Sequence, residues 1–154
     1  MTEYVEVLLH AFFGVLSGFL FVWALVELLN LSEKNIERAK WSTTLAVISA
    51  YLGEIFGLSY YLEDYSADKQ VIINGPWWWT HSFFMETKEH FAIMGLYMMI
   101  IVLLLVWRVD LLANPKAKTF TIGLLIIFIL GVLLLEGAGA LIATGVRMGL
   151  GSPT

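Results

Sequence analysis

Long apolar runs separated by short polar segments dominate the chain. A hydrocarbon core of about 30 Å needs about 20 apolar residues in a helix that rises about 1.5 Å per residue. Four runs meet this condition, and they predict helices at about 4–31, 41–62, 80–109 and 120–148. The pattern therefore predicts an all-α integral membrane four-helix bundle, with residues 1–154 forming a single domain.

The polar connections indicate how these helices are oriented. Short turns, "NLSEKNIERAK" and "DLLANPKAK", join the first and last pairs, and the longer "EDYSADKQVIINGPWWW" joins the middle pair. The side of the short turns carries six of the nine Lys and Arg residues, which places that side in the cytoplasm. Both termini are then expected on the non-cytoplasmic side, where the three tryptophans mark the membrane boundary.

Composition narrows the classes of protein and of site. The chain is 59% hydrophobic and 14% charged, whereas soluble domains have about 25% charged residues. It contains no cysteine, which excludes disulfides, zinc–thiolate sites, iron–sulfur ligation and thioether-attached haem. The net charge of −4 and the lack of a basic stripe argue against a nucleic-acid partner. The start, "MTEYVEVLLH", has no positive region, so we expect the first helix to be retained rather than cleaved.

Ionisable residues inside the predicted helices lie mainly in the half of the bundle nearest the termini. They are Glu6, His10, Glu54, Glu86, His90 and, nearer the midplane, Glu136. Polar residues within a membrane are costly, and they usually face the interior of the bundle. Their clustering at one depth is the main functional signal of the chain.

Helix phase predicts which way the residues of the third helix face. Glu86 and His90 are four positions apart and share a face that continues to Tyr97. His81 is nine positions from His90, about 180° around a helix of 3.6 residues per turn. We therefore expect His90 to face the bundle, and His81, with Lys88, to lie at the outer rim or at a subunit contact.

A bis-histidine haem b is the leading hypothesis for this site. His10 and His90 would supply the axial ligands from facing helices at similar depth, with one haem per chain. Gly14, Gly18 and Gly53 would make room for the flat cofactor, although small residues also serve close helix packing alone. The chain would then carry electrons between quinone and an extracytoplasmic redox partner.

Three alternatives stay open at this stage. A di-iron or dimanganese oxidase would use the ligand types found at Glu6, His10, Glu54, Glu86, His90 and Glu136, but the spacing is Glu-x-x-x-His rather than Glu-x-x-His. As metal ligands in general, His81, Glu54 and Glu86 rank after His10 and His90. Glu136 and Tyr97 could line a proton path or a quinone pocket, although the cytoplasmic half offers only Glu27 to continue such a path. The chain could also be a structural anchor of a larger membrane complex. Whether it is an enzyme is left open.

Two segments, "LLHAFFGVLSG" and "KEHFAIMGLYMM", resemble small four-helix membrane b-type cytochromes. In those proteins one histidine early in helix 1 and another in helix 3 ligate haem, which implies His10 and His90 here. The resemblance implies a quinone-linked redox subunit. We expect the protein in the plasma membrane or an equivalent energy-transducing membrane, as a homo- or hetero-oligomer with other membrane or extracytoplasmic redox subunits. With three histidines, the chain does not match a di-haem version.

Overall fold

The fold consists of four long antiparallel helices and one short helix that packs across one end of them. The computed structural model describes residues 2–151, with side chains from residue 4 onward. The elements are α1 (Thr2–Leu29), α2 (Ile36–Glu63), α3 (Tyr65–Asn74), a π-helical segment (Thr80–Met85), α4 (Glu86–Arg108) and α5 (Pro115–Leu150). The described residues include no strand, so the all-α prediction is confirmed.

All four predicted membrane helices are present. The spans Tyr4–Leu29, Ile36–Glu63, Thr80–Arg108 and Pro115–Leu150 are long and apolar enough to cross a membrane, as expected of a multi-pass integral membrane protein. Two of them start earlier than predicted, since α2 begins at Ile36 and α5 at Pro115. Backbone hydrogen bonding does not stop where hydropathy falls, and the Asn114 side chain caps α5 by accepting from the Ala117 amide at 3.0 Å.

The two halves of the bundle differ in character. The half that holds the α1–α2 and α4–α5 connections, here called the turn half, contains most of the apolar core. Its fully buried side chains include Phe21, Leu28, Val102 and Leu125. The half that holds the start of α1 and the end of α5, here called the terminal half, contains most of the polar contacts between helices. The candidate site therefore lies in the terminal half.

Helix α3 was not predicted, because its ten residues read as a polar connection. Its apolar side is narrow: Tyr65 and Ile72, two turns apart, are buried, while Lys69 and Gln70 are exposed. The helix packs against the end of α5, where a Cβ on Gly149 would lie 2.5 Å from the carbonyl oxygen of Val71. The backbones of α3 and α5 can approach each other this closely only because Gly149 has no side chain.

The Gly149 contact leads to a prediction about the docking of α3. Because the carbonyl of Val71 belongs to the backbone, it cannot move aside as a flexible side chain could. We expect Gly149→Ala to weaken this docking by about 1–3 kcal/mol, the usual cost of overpacking. Hydrogen exchange of the α3 amides measures the effect. Gly123→Ala, which places its methyl group in open space, should leave the exchange unchanged.

Candidate functional site

The centre of the site is a contact between Lys88 of α4 and His10 of α1. Nζ of Lys88 lies 3.0 Å from Nε2 of His10, and Nδ1 of His10 lies 2.8 Å from the carbonyl oxygen of Gly53 in α2. A carbonyl oxygen can only accept, so Nδ1 carries the proton and donates it to Gly53. Nε2 then presents its lone pair to the ammonium group, which is a donor only. His10 is therefore held as a neutral imidazole of defined tautomer.

Glycines bring α1 and α2 close enough to enclose the imidazole. A Cβ on Gly53 would lie 3.2 Å from the backbone nitrogen of Gly14 and 3.4 Å from the carbonyl oxygen of His10. A Cβ on Gly57 would lie 2.6 Å from Nδ1 of His10 and 2.8 Å from its Cε1. Because Gly53 and Gly57 have no side chains, the surface of α2 that faces α1 has a flat recess. The His10 ring occupies this recess, which we call its seat.

Two carboxylates act on the Lys88 ammonium through space. It interacts electrostatically with Glu136 of α5 and Glu54 of α2, and a Cβ on Gly139 would lie 3.3 Å from its Nζ. The Glu136 carboxylate packs against Gly14 of α1. Lys88 therefore extends from α4 to a point where residues from α1, α2 and α5 converge. We call His10, Glu54, Lys88 and Glu136 the charge cluster.

The charges of this cluster do not cancel when every group has its usual form. One ammonium, two carboxylates and a neutral imidazole sum to a charge of −1. A single added proton would make the cluster neutral. Net charge inside a membrane is expensive, so an arrangement that is one proton short of neutrality is suited to binding a proton.

Polar groups continue from the charge cluster toward the terminal end of the bundle. Glu6 is one turn before His10 on α1, and its Oε1 accepts a hydrogen bond of 3.0 Å from the Ser59 hydroxyl. Its Oε2 is buried and has no hydrogen-bond partner among the described residues. Glu6 is thus a second protonatable group, placed between the charge cluster and the end of the bundle.

In the opposite direction the buried polar side chains, such as Ser42, Thr43 and Thr121, are hydroxyls bonded to backbone carbonyls. The Ser17 hydroxyl donates to the Gly14 carbonyl at 2.7 Å, and the Ser49 hydroxyl donates to the Phe13 carbonyl at 2.9 Å. Phe21 lies beyond them, fully buried in the apolar core of the turn half. The apolar core of the turn half therefore lies between the charge cluster and the other end of the bundle.

A separate polar pair lies at the terminal end, where the π-helical segment meets α3. His81 is only 7% exposed, and its Nδ1 shares a hydrogen bond of 2.8 Å with the hydroxyl of Tyr65. A π-helical turn alters the phase of the residues before it relative to those after it. Here it turns His81 toward α3 while Lys88 points into the bundle.

The environment of Tyr65 gives a pH-dependent prediction. Burial raises the pKa of its phenol, and Tyr61, Glu89 and Asp68 act in the same direction. The folded state therefore holds the Tyr65 proton more tightly than the unfolded state does. Stability from this group is complete below about pH 10, the usual pKa of tyrosine, and is lost as the pH rises further. Tyr65→Phe should flatten the alkaline part of the stability curve, as measured by unfolding in detergent. An alkaline slope that is the same in Tyr65→Phe as in the unchanged protein would contradict this prediction.

The predicted directions of the α4 side chains are wrong. His90 is exposed, and its Nδ1 donates to the Glu86 carbonyl of the same helix at 2.7 Å; Glu86 is exposed as well. Lys88, expected at the rim, enters the bundle, and His81 is buried. The physical reason is helix phase, because positions 88 and 90 differ by 200° and only one of them can face inward.

A sequence signal for Lys88 does exist. The buried residues of α4 in the turn half are Met99, Val102 and Val106. Lys88 lies eleven positions before Met99, which is about three full turns, so the two share a face. Ala92 and Gly95 fall between them on that face, and their small size gives the long Lys88 side chain room to reach α1. The apolar stripe of α4 in the turn half therefore predicts which face of the helix points inward better than the polar residues do.

The predicted haem ligands are not brought together in this arrangement. Both ring nitrogens of His10 are engaged, and His90 lies on the opposite side of α4. The space beside each glycine that was predicted to accommodate haem is occupied. Glu136 lies beside Gly14, and α1 lies beside Gly53. At Gly18, a Cβ would lie 3.2 Å from Cγ1 of Val132. The described residues in this arrangement do not form a haem cradle, and haem b stays a prediction of the sequence.

Of the remaining residues predicted to belong to the site, two lie inside the bundle and one lies on its surface. Glu54 and Glu136 belong to the charge cluster, whereas Tyr97, predicted to line a quinone pocket or proton path, is 70% exposed. Among the side chains of residues 4–151 no three His, Asp or Glu groups are placed together as metal ligands. The di-iron or dimanganese centre likewise stays a prediction, with no grouping here on which to build a mechanism.

Comparison of the chain with protein-family models, with curated proteins and with solved structures found no match. The function must therefore be argued from the geometry of the charge cluster itself.

Proposed function

We propose that this protein is a proton-binding membrane subunit, which takes up and releases a proton at the charge cluster from one side of the membrane. The observation that carries the proposal is the contact of Lys88 with neutral His10 inside the bundle, beside two carboxylates. Ionisable residues within a membrane mark proton relays and ion sites more often than they serve packing.

The shared hydrogen bonds explain how a proton would be held. Nδ1 of His10 is occupied by the Gly53 carbonyl, so His10 can hold the Lys88 ammonium but cannot accept a proton without breaking that contact. The added proton therefore goes to a carboxylate, Glu54 or Glu136, both of which Lys88 attracts. Lys88 acts as the fixed charge that keeps the second carboxylate ionised, and His10 positions Lys88.

Access is proposed from the terminal end through Glu6, whose free carboxylate oxygen points to no partner. The excess of Lys and Arg at the turn half supports a non-cytoplasmic location for that end. A proton would then exchange with the outer aqueous phase and not cross the membrane, because the turn half is filled with apolar side chains. Such a one-sided site suits a subunit that delivers protons to, or receives them from, a partner in the same membrane.

The decisive measurement is infrared difference spectroscopy of the protein in lipid as the pH of the buffer is lowered. We expect a carboxylic C=O band from a group in an apolar environment to appear with acid. Glu136→Gln or Glu54→Gln should remove or shift it, whereas Glu63→Gln, at an exposed position, should not. A band that is absent, or that survives both cluster variants, would contradict the proposal.

Proton flux into dye-loaded liposomes tests whether the site is open on one side only. Under an imposed potential, liposomes with the protein should acidify no faster than liposomes of lipid alone. Faster flux that is lost in Glu136→Gln would show a complete channel instead.

A reduced-minus-oxidised visible spectrum of gently purified protein distinguishes the haem alternative from the proton site. Strong Soret and α bands that depend on His10 would require Lys88 to leave the imidazole, and they would replace the proton site by a redox site.

A further inference from the structure

The outer face of α4 carries a regular stripe of exposed residues. Successive members are spaced alternately four and three positions apart, and all of them are exposed: Glu86, His90, Ile93, Tyr97, Ile100 and Leu104. We call this stripe the α4 seam. It lies opposite the face that carries Lys88, Met99 and Val102 into the bundle, so it is not used by the helices of the chain itself.

Exposed apolar residues on a membrane helix need no explanation, because lipid covers them. The polar members of the α4 seam do need one. Glu86, His90 and Tyr97 lie within about 40° of one another around the helix axis, and charged or polar groups that face lipid are costly. Tyr97 lies near the middle of the span Thr80–Arg108, whereas tyrosines that face lipid are enriched at the membrane boundary.

The hydrogen bonds of the seam residues are incomplete within the chain. Nδ1 of His90 donates to the Glu86 carbonyl, which leaves Nε2 directed away from the helix. In the part of the chain that the structure describes, neither Nε2 of His90 nor the hydroxyl of Tyr97 has a hydrogen-bond partner. All these groups are on one face, at matching phase, so one neighbouring helix could cover them together.

We propose that the α4 seam is the contact between two copies of this chain, packed as a parallel left-handed helix pair. Alternating spacings of four and three residues are those of a left-handed coiled coil, in which each seam residue enters a hole formed by four residues of the other helix. Two copies inserted with the same topology present α4 in the same direction, which is the parallel arrangement that this packing requires.

Charge complementarity favours a second copy as the occupant. In a parallel twofold pair each seam residue lies level with the same residue of the second copy and next to the following seam residue of that copy. The two Glu86 carboxylates are therefore level with each other, and each would also lie beside His90 of the second copy. One pair of residues thus supplies two acid–imidazole contacts, and both titratable groups leave the lipid surface.

Disulfide trapping tests the proposal cleanly, because the chain contains no cysteine. Ile93→Cys and Ile100→Cys lie on the α4 seam and should form dimers on mild oxidation in membranes. Phe91→Cys, exposed on another side of α4, and Leu134→Cys, exposed on α5, are the matched controls. They should form dimers at least tenfold less. Equal trapping at all four sites, no trapping at the seam sites, or trapping of the seam cysteines to a different protein would each overturn the proposal.

A second measurement separates specific pairing from crowding. With Leu104→Cys as the reporter, we expect Glu86→Gln or His90→Ala to lower the dimer yield in lipid roughly threefold to tenfold, as expected for loss of polar contacts between membrane helices. Glu63→Gln, on α2, should leave the yield unchanged. Unchanged yields in the seam variants would show that the acid–imidazole contacts are not formed. The infrared band of the charge cluster serves as the folding control, since it does not depend on pairing.

Discussion

Lys88→Met should destabilise the protein by about 3 kcal/mol, the order of cost when a buried or intramembrane ion loses its partner. Methionine keeps the length of the lysine stem, so packing beside Gly139 is largely preserved and the lost charge dominates. Glu54 and Glu136 would lose the cation that interacts with both of them, and His10 would lose the donor to its Nε2. Unfolding in mixed micelles measures the change.

A second substitution, at one of the two carboxylates, should recover much of the stability that Lys88→Met loses. In Lys88→Met combined with Glu136→Gln, one negative charge leaves together with the positive one. We expect a coupling free energy of about 1–3 kcal/mol in the double-mutant cycle, as for residues of one network of charges. Lys69→Met, on the exposed face of α3, should change stability by less than about 0.5 kcal/mol. If Lys88→Met were as harmless as Lys69→Met, the charge cluster could not be an interacting unit.

Gly57→Ala should have the second largest effect, because the added methyl group would enter the space of the His10 ring. A Cβ there would lie 2.6 Å from Nδ1, and the ring cannot retreat without breaking its bonds to Gly53 and Lys88. Overpacking costs about 1–3 kcal/mol, which exceeds the gain of about 0.5–1 kcal/mol from replacing a helical glycine by alanine. We therefore expect net destabilisation and loss of the acid-induced carboxylic band.

Gly131→Ala is the matched control. It adds the same methyl group inside a helix, but no atom beyond the adjoining backbone of that helix lies within 4 Å of the added carbon. The substitution should leave the band intact and should be neutral or stabilising by up to about 1 kcal/mol. Equal effects at both glycines would show that the seat for His10 is not built as described.

The helices themselves could be predicted because their cause is local. A span must supply about 20 apolar residues and satisfy its own backbone, and both conditions can be read from a single window of sequence. The four spans were found on this ground, with boundaries shifted at Ile36 and Pro115. Helix α3 was missed because only Tyr65 and Ile72 of its ten residues are buried, so the pattern by itself favours a loop.

The direction of each polar side chain could not be predicted on the same ground. The rule that ionisable residues face inward treats His90 and Lys88 alike, yet they lie on opposite sides of one helix. Both Glu86 and His90 are exposed, while Lys88 reaches His10 across the bundle. The inner apolar stripe of Met99, Val102 and Val106 decides the rotation of α4, since burying that stripe in the shared core outweighs the preference of two polar residues.

The sequence by itself therefore determined the membrane class of this protein, its four spans and the depth of its ionisable residues. Each follows from hydropathy and helical rise, which depend only on neighbours in the chain. The tertiary structure alone decided that His10 is paired with Lys88, that Glu136 fills the space beside Gly14 and that the α4 seam is left uncovered. These depend on helix rotation and on the close approach of glycine-lined surfaces, which are properties of several helices packed together.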